Sequence, residues 1–435
     1  MVSYIPLPCR EIASAGREQE VALEWPAMAP MRQRFEDEAV DDLDGVISRG
    51  VRARLAQARP APGASVAIGV GSRGVSPILQ VVSVVVRELK DAGLRPFVVP
   101  AMGSHGGGTA EGQRRVLTEY GISEEQIGAP VRATMETKLL GTTPQGVEVH
   151  GDANAFGADH VAIIGRVKPH TAFRAEIESG LCKMLTVGLG KRKGAERIHE
   201  GGLAETIPAA AEVVLATGKV LFGLALVENA FDRPHTVRVA APDDFLRTDR
   251  ELLVLAKKLL PKLPMDHLHL LVVDEMGKNI SGTGMDTNVV GMWRRIGGER
   301  SPDYGSLVVL RLTAESEGNA SGVGMADFVT NALVDAIDRE KTYVNALTAL
   351  VPFMVRIPLT LRTDRDCLGT AIEFARRSAG GGLRMARIKN TLEIERFWVT
   401  ENVAAELEAG RFAERDGAPK RMEFDAAGNL AGVAA

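Results

Sequence analysis

Two imidazoles and one amine fall in a single glycine-rich stretch, VKPHTAFRAEIESGLCKMLTVGLGKRKGAERIHEGG, where His170, Lys183 and His199 stand thirteen and sixteen positions apart. That mix suits a metal or a covalently held cofactor, because imidazole is a common metal ligand and a sheltered amine is a nucleophile. A third imidazole, His105, lies upstream in MGSHGGGT. A histidine on a strand-end loop is placed to move protons near neutral pH. Lys183 is flanked by Leu181, Met184 and Leu185, and desolvation there would disfavour its ammonium and leave the neutral amine that covalent attachment needs. Each residue also has a plainer reading: a loop or strand-end histidine bonded to backbone, a solvated residue in the first turns of a helix for His199, and a lysine snorkelling its head into water.

Alternating strands and helices must position these groups. SVAIGVGS (65–72) is an apolar, β-branched run stopped by Gly and Ser, and SPILQVVSVVVRELKDAG has helical spacing with a closing glycine. RPFVVPAMGSHGGG, HVAIIGRVKPH (160–170) and HLHLLVVDEMGKNISGTGMD (267–286) each run from a strand into a polar or glycine loop. In open α/β sheets ligands bind at that edge. The fold expected is two α/β domains with the active site in the cleft between them. The boundary is expected after VLAKKLLPKLPMD, where prolines and lysines interrupt a helical pattern. Residues 1–265 then form a cofactor-binding and catalytic domain, and 266–435 a domain that closes the cleft. In the second, LLVVDEM and SLVVLRLT read as strands and ADFVTNALVDAIDREK and GTAIEFARRSAGGG as helices, and the polar tail from about Gly410 reads as surface or partly disordered.

Composition excludes several classes. A chain of 435 residues, 45% hydrophobic, can bury more than one core. A net charge of −4 gives no excess positive charge to neutralise a phosphate backbone, so nucleic acid is not an expected partner. Cys9, Cys182 and Cys367 are too few and too scattered for a disulfide framework, which suits a reducing cytoplasm. The N-terminus does not read as a secretion signal, and no apolar run reaches the roughly 20 residues of a membrane span.

The loop GSHGGGT (103–109) precedes a helical pattern and could offer backbone N–H groups to a phosphate. It matches neither the Walker pattern nor GxGxxG. Lys191, Arg192 and Lys193 form a basic loop that could meet a cofactor phosphate or simply be solvated.

Taken together, HGGGT, KPH, GLCKM, GLG and an IH sixteen residues past the lysine resemble the nickel-pincer-nucleotide lactate racemases. The match is best over roughly residues 60–210. The resemblance implies a pyridinium mononucleotide (pyridinium-3-thioamide-5-thiocarboxylic acid mononucleotide) carrying nickel between sulfur-bearing arms. It implies that Lys183 is joined to this nucleotide through a thioamide and that His199 is the protein ligand to nickel. His105 and His170 match the two acid/base histidines, and Arg73 in VGSRGV matches a substrate-binding arginine. Ser104, Gly106 and Gly107 are expected to contact the cofactor. The implied reaction takes a hydride from C2 of a 2-hydroxy acid and returns it to the other face of the keto acid. The nucleotide would depend on separate biosynthetic proteins as partners. DEMGKNISGTGMDTNVVG departs from the lactate-specific pattern, which suggests a divergent racemase or epimerase branch, with Lys278 and Asn279 as further substrate contacts.

Two other classes fit parts of the pattern. A zinc-dependent hydrolase could use His105, His170 and His199 as a three-imidazole site with an open fourth position, leaving Lys183 without a role. A non-catalytic nucleotide-binding protein could use the glycine loops for phosphate. Oligomeric state is unreadable from these residues.

Overall fold

The computed structural model describes residues 24–71 and 77–432. Arg73 lies outside the described residues, as do Cys9 and the rest of the N-terminal segment 1–23. The chain divides into two compact units, one of them Glu36–Leu260 and the other built from both flanks, 24–35 and 261–432. The sequence reading set the boundary at 265 and kept the N-terminal segment with the first unit. The division falls instead after Leu260, and the first described strand, β1 (Ala27–Arg32), belongs to the C-terminal unit.

The 36–260 unit runs α1 (Leu43–Ala58), β2 (Ser65–Val70), α2 (Ile78–Asp91), β3 (Arg95–Pro100), α3 (Ala110–Glu119), α4 (Glu124–Ile127), β4 (Thr137–Thr142), β5 (Glu148–Asp152), β6 (His160–Arg166), α5 (Leu181–Lys183), α6 (Lys191–Glu200), α7 (Leu203–Leu215), β7 (Val220–Glu228), β8 (Pro234–Ala240) and α8 (Phe245–Leu259). Its main sheet has the order β3-β2-β6-β7-β8, parallel except for the last pair, and β4 and β5 form a separate hairpin. Parallel strands buried on both faces must be apolar on both, and β2 shows how. Val66, Ile68 and Val70 pack with Ile47 and Val51 of α1 and Val81 and Val85 of α2, whereas Ala67 faces the cluster that holds Ile207 and Val214 of α7 and Leu252 and Leu253 of α8. On the same face Gly223 of β7 leaves room for Leu181 of α5 and Phe245 of α8. Each fully buried Val or Ile here contributes roughly 1.5–3 kcal/mol.

The C-terminal unit holds a nine-stranded mixed sheet. Its further strands include β9 (His267–Met276), β10 (Asp303–Leu312), β11 (Phe328–Thr330), β12 (Leu359–Leu361), β13 (Met385–Ile388), β14 (Arg396–Thr400), β15 (Glu414–Arg415) and β16 (Lys420–Arg421). β13-β9-β10-β11-β12 are parallel, and β13-β14-β1-β15 antiparallel. Two expectations are corrected here. ADFVTNALVDAIDREK is not one helix but β11 followed by two helices, Asn331–Asp335 and Arg339–Thr348, because Phe328 and Val329 pair with Val308 and Val309. The tail past Gly410 is ordered into β15 and β16, both of which bond to β1. Among the described residues no helix is long and apolar enough to cross a membrane.

Candidate functional site

The C-terminal edge of β3, β2 and β6 gathers the loops that carry His105 and His170, with β2 in the middle. The segment 180–190 runs across that edge. A Cβ on Gly165 of β6 would press on Gly180 and Met184, one on Gly71 after β2 would meet Met184, and one on Gly188 would meet Ala101 after β3. Close approach to backbone therefore favours glycine at 188 and 165, where a Cβ would lie 2.8 Å from Ala101 O and 3.1 Å from Gly180 C, while at Gly71 it would press on the end of the Met184 side chain. The consequence is that Lys183, beside Met184, lies over the same sheet edge as both histidine loops.

Lys183 closes the short helix α5, whose start is fixed by a buried carboxylate from α8. Asp249 is fully buried and accepts from the Leu181 and Cys182 N–H groups at 2.9 and 2.8 Å. These are helix-start donors with no intrahelical partner, so the carboxylate caps the turn that presents the lysine. Burial pushes the Asp249 carboxyl up to about 6, against the pull of those hydrogen bonds. The adjacent Cys182 thiol is pushed well above the usual range by burial and then by Asp249. Both effects disfavour its thiolate, the form that ligates or attacks.

Because the folded Asp249 holds its proton more tightly than the unfolded chain does, its contribution to stability is present at low pH and lost as pH rises through about 6. Relative to Asp249→Asn, which has nothing to ionise, the parental protein should lose about 2 kcal/mol of stability between pH 4.5 and pH 7.5. Urea unfolding at the two pH values checks this; parallel pH profiles would remove the burial argument.

His170 follows β6 on a loop pinned by Glu178 and Ser179. Buried Glu178 accepts from the His170 N–H at 2.8 Å and the Ala175 N–H at 3.3 Å, and pairs with Lys257 at 2.7 Å. Ser179 Oγ accepts from Lys168 N and donates to Lys168 O at 2.7 and 2.6 Å. The half-buried His170 ring stacks tilted on Phe173 at 4.6 Å, and its Nδ1 accepts from the Ala172 N–H at 3.0 Å. That bond assigns the ring proton of the neutral form to Nε2, so His170 faces a ligand as a donor. Acting as a base requires it to release Ala172 or turn its ring.

His105 is exposed, and it precedes a turn in which Gly106, Gly107 and Gly108 all have φ near +66°. Thr109 caps α3 through Gly112 N at 3.0 Å. The loop is tied to the lysine segment by Gly103 N to Gly188 O at 3.0 Å. His199 lies in the last turn of α6, not in the first turns of a helix as expected. Its surface is exposed, yet the surrounding chain is dense enough that desolvation, and then the Lys183 ammonium, lower the imidazole pKa below its usual value. A neutral imidazole within electrostatic reach of that amine is the form a metal requires.

Other expectations are corrected. Lys191 is not part of a solvated basic loop: it is fully buried, with Nζ 2.9 Å from Asp152, 2.5 Å from Pro100 O and 3.0 Å from Gln113 Oε1. Arg192 instead pairs with Glu196 on the surface. Among the described residues no three His, Cys, Asp or Glu side chains are grouped to hold a metal, so His105, His170 and His199 do not form the three-imidazole zinc cluster. Lys278 and Asn279 belong to the C-terminal unit, where Lys278 Nζ donates to Gly282 O and Asn345 Oδ1 at 2.6 and 2.8 Å, and Asn279 Oδ1 accepts from Thr313 at 2.7 Å. Nothing local marks Asp249, Glu178 or Gln113, because their partners lie far along the chain, 68 positions for Asp249 and 78 for Gln113.

Residues 58–206, which contain every loop just described on this sheet edge, match the lactate racemase N-terminal domain family. The chain is lactate racemase-like. Its fold agrees with that of the lactate racemase apoprotein from Thermoanaerobacterium thermosaccharolyticum, with a TM-score of 0.51 at 13% identity over 84% of this chain and 99% of that one. No curated protein matches the sequence. At that identity the likeness extends to the fold, and the lactate racemase-like N-terminal domain is the part that carries the candidate site.

Proposed function

We propose that this lactate racemase-like protein is a racemase or epimerase of a 2-hydroxy acid that works with a lysine-tethered nickel-pincer nucleotide. The observation that carries the reading is geometric: the segment that bears Lys183 lies over the sheet edge where the His105 and His170 loops end, and it is bonded to the His105 loop from Gly103 N to Gly188 O. The donor set fits such a group. Lys183 supplies a half-buried amine, His199 a neutral nitrogen donor suited to nickel, and Gly71 and Gly103 bare backbone where a side chain would collide with Met184 or Val187.

Lys183 would hold the nucleotide covalently and His199 its nickel, with Ser104, Gly106 and Gly107 lining the approach. When bound, the group supplies reversible acceptance of a hydride from the substrate carbon. The chain's own residues manage the protons and the orientation. His105, on its exposed loop, takes or returns a hydroxyl proton, and His170 presents Nε2–H until it exchanges its bond to Ala172. Two imidazoles on loops from different strands allow either enantiomer to be entered. Arg73 would fix the carboxylate, for which a guanidinium fork is suited, and Lys278 and Asn279 would meet the rest of the substrate.

Protein loaded with the nickel nucleotide, incubated in heavy water with a panel of chiral 2-hydroxy acids, should invert C2 of at least one without taking deuterium at that carbon. Inversion with deuterium at C2 would replace hydride transfer by proton abstraction. No inversion across the panel, by protein shown to carry the adduct, would overturn the assignment.

A further inference from the structure

The fully buried Lys191 and Gln113 form a link that the proposed chemistry does not use. Lys191 opens α6, the helix that ends in His199, and it does so in the left-handed region at φ 54°, which is uncommon for a side-chain-bearing residue. That backbone turn aims its side chain inward. Its ammonium sits 2.9 Å from Asp152 at the end of β5, and donates to Pro100 O at the end of β3 and to Gln113 Oε1 on α3. Gln113 passes the link on: its Nε2 donates to Gly103 O at 2.8 Å and His105 O at 3.3 Å. The amide orientation follows from chemistry, since the ammonium can only donate and the two carbonyls can only accept. A chain of bonds thus runs from the His199 helix to the backbone of His105.

We propose that Gln113, oriented by the buried Lys191–Asp152 pair, is the positioning residue for His105, holding the acid/base loop at a fixed place relative to the lysine and nickel-ligand segment. The inference rests on the reading of His105 as an acid/base group. Three features favour positioning over simple filling of the core. Gln113 uses both ends of its amide. Its two acceptors bracket the histidine loop rather than lying in a helix or strand. Gly106, whose Cβ would strike Gln113 N at 2.7 Å, brings the loop down onto α3 where the amide can reach it. Burial lowers the Lys191 pKa, and the neighbouring Asp152 opposes that shift. Replacing Lys191 alone would strand a buried carboxylate, which makes Gln113 the better handle.

The test compares Gln113→Met, which removes both ends of the link at nearly constant volume, with Gln113→Glu, which keeps an acceptor for Lys191 but loses the donor to the loop. Amide hydrogen exchange on the full chain should be at least tenfold faster over residues 103–109 in both variants, with β2 and β6 as protected as in the parental protein. In nickel-loaded protein, kcat for the panel acid that the parental protein inverts fastest should fall at least tenfold with KM within twofold. Parental loop protection and kcat in Gln113→Glu would overturn the proposal, because satisfying Lys191 would then be the whole role of Gln113. So would unchanged loop exchange in both. Should Gln113→Met fail to fold, Gln113→Glu decides by the same two readings. The exchange measurement needs no turnover, so a parental protein that inverts nothing would defeat the functional reading while the tether is still scored.

Discussion

Lys183→Ala should be purified without any nucleotide-sized adduct and with nickel at background, whereas the parental protein made alongside the cofactor's biosynthetic proteins carries both. The expected effect is complete, because a covalent bond to one amine has no substitute. Lys183 is half-buried, and the variant should fold. Asp249 still caps the turn, since its bonds go to the backbone of Leu181 and Cys182. Lys183→Arg is the sharper control: it keeps the positive charge that depresses His199 but cannot form the same link. Intact-mass measurement and metal analysis read both variants. Nickel at parental stoichiometry in Lys183→Ala would exclude this lysine as the anchor.

His105→Ala and His170→Ala should leave adduct and nickel in place while interconversion of enantiomers falls by about 10²–10⁴-fold, the usual effect of losing a positioned acid or base. The two should not be equivalent. His105 stands on an exposed loop. Removing the His170 ring leaves the Ala172 N–H without its acceptor and Phe173 without its stacking partner, so His170→Ala should also loosen its loop. Either variant turning over at the parental rate would defeat the two-base scheme. The measurement is the rate at which each pure enantiomer approaches the equilibrium mixture, followed from both directions.

The strands that build the catalytic sheet were legible in the sequence because parallel strands buried on both faces are written as short continuous apolar runs. SVAIGV, RPFVVP and HVAIIGR became β2, β3 and β6 with their glycine loops at the expected edge. His105, His170, Lys183 and His199 stood out through local motifs of distinctive composition, and the segment that bears Lys183 lies over the edge where the first two loops end. The supports were not legible. Nothing local marks Asp249 as a cap for α5 or Gln113 as a tether for the His105 loop, since each acts on residues distant in sequence and is an ordinary polar residue in an amphipathic helix. Lys191 was misread for the same reason: KRK next to glycine has the composition of a wet loop, and only the left-handed backbone at Lys191 turns that one side chain inward. β1 was missed because its partners β14, β15 and β16 come from the far end of the chain.

That last pairing bears on how the molecule can be dissected. Residues 36–260 form an insert within a unit whose first described strand is encoded upstream of it, so the unit that carries the candidate site can be cut out as one continuous cassette. Its counterpart cannot be obtained by trimming. A fragment starting at Pro261 would carry β14 with a bare edge where Met28 to Arg32 should lie, an invitation to intermolecular strand pairing. Splicing the 24–35 segment directly ahead of Pro261 through a short flexible joint restores that edge, and is the expression design the topology dictates.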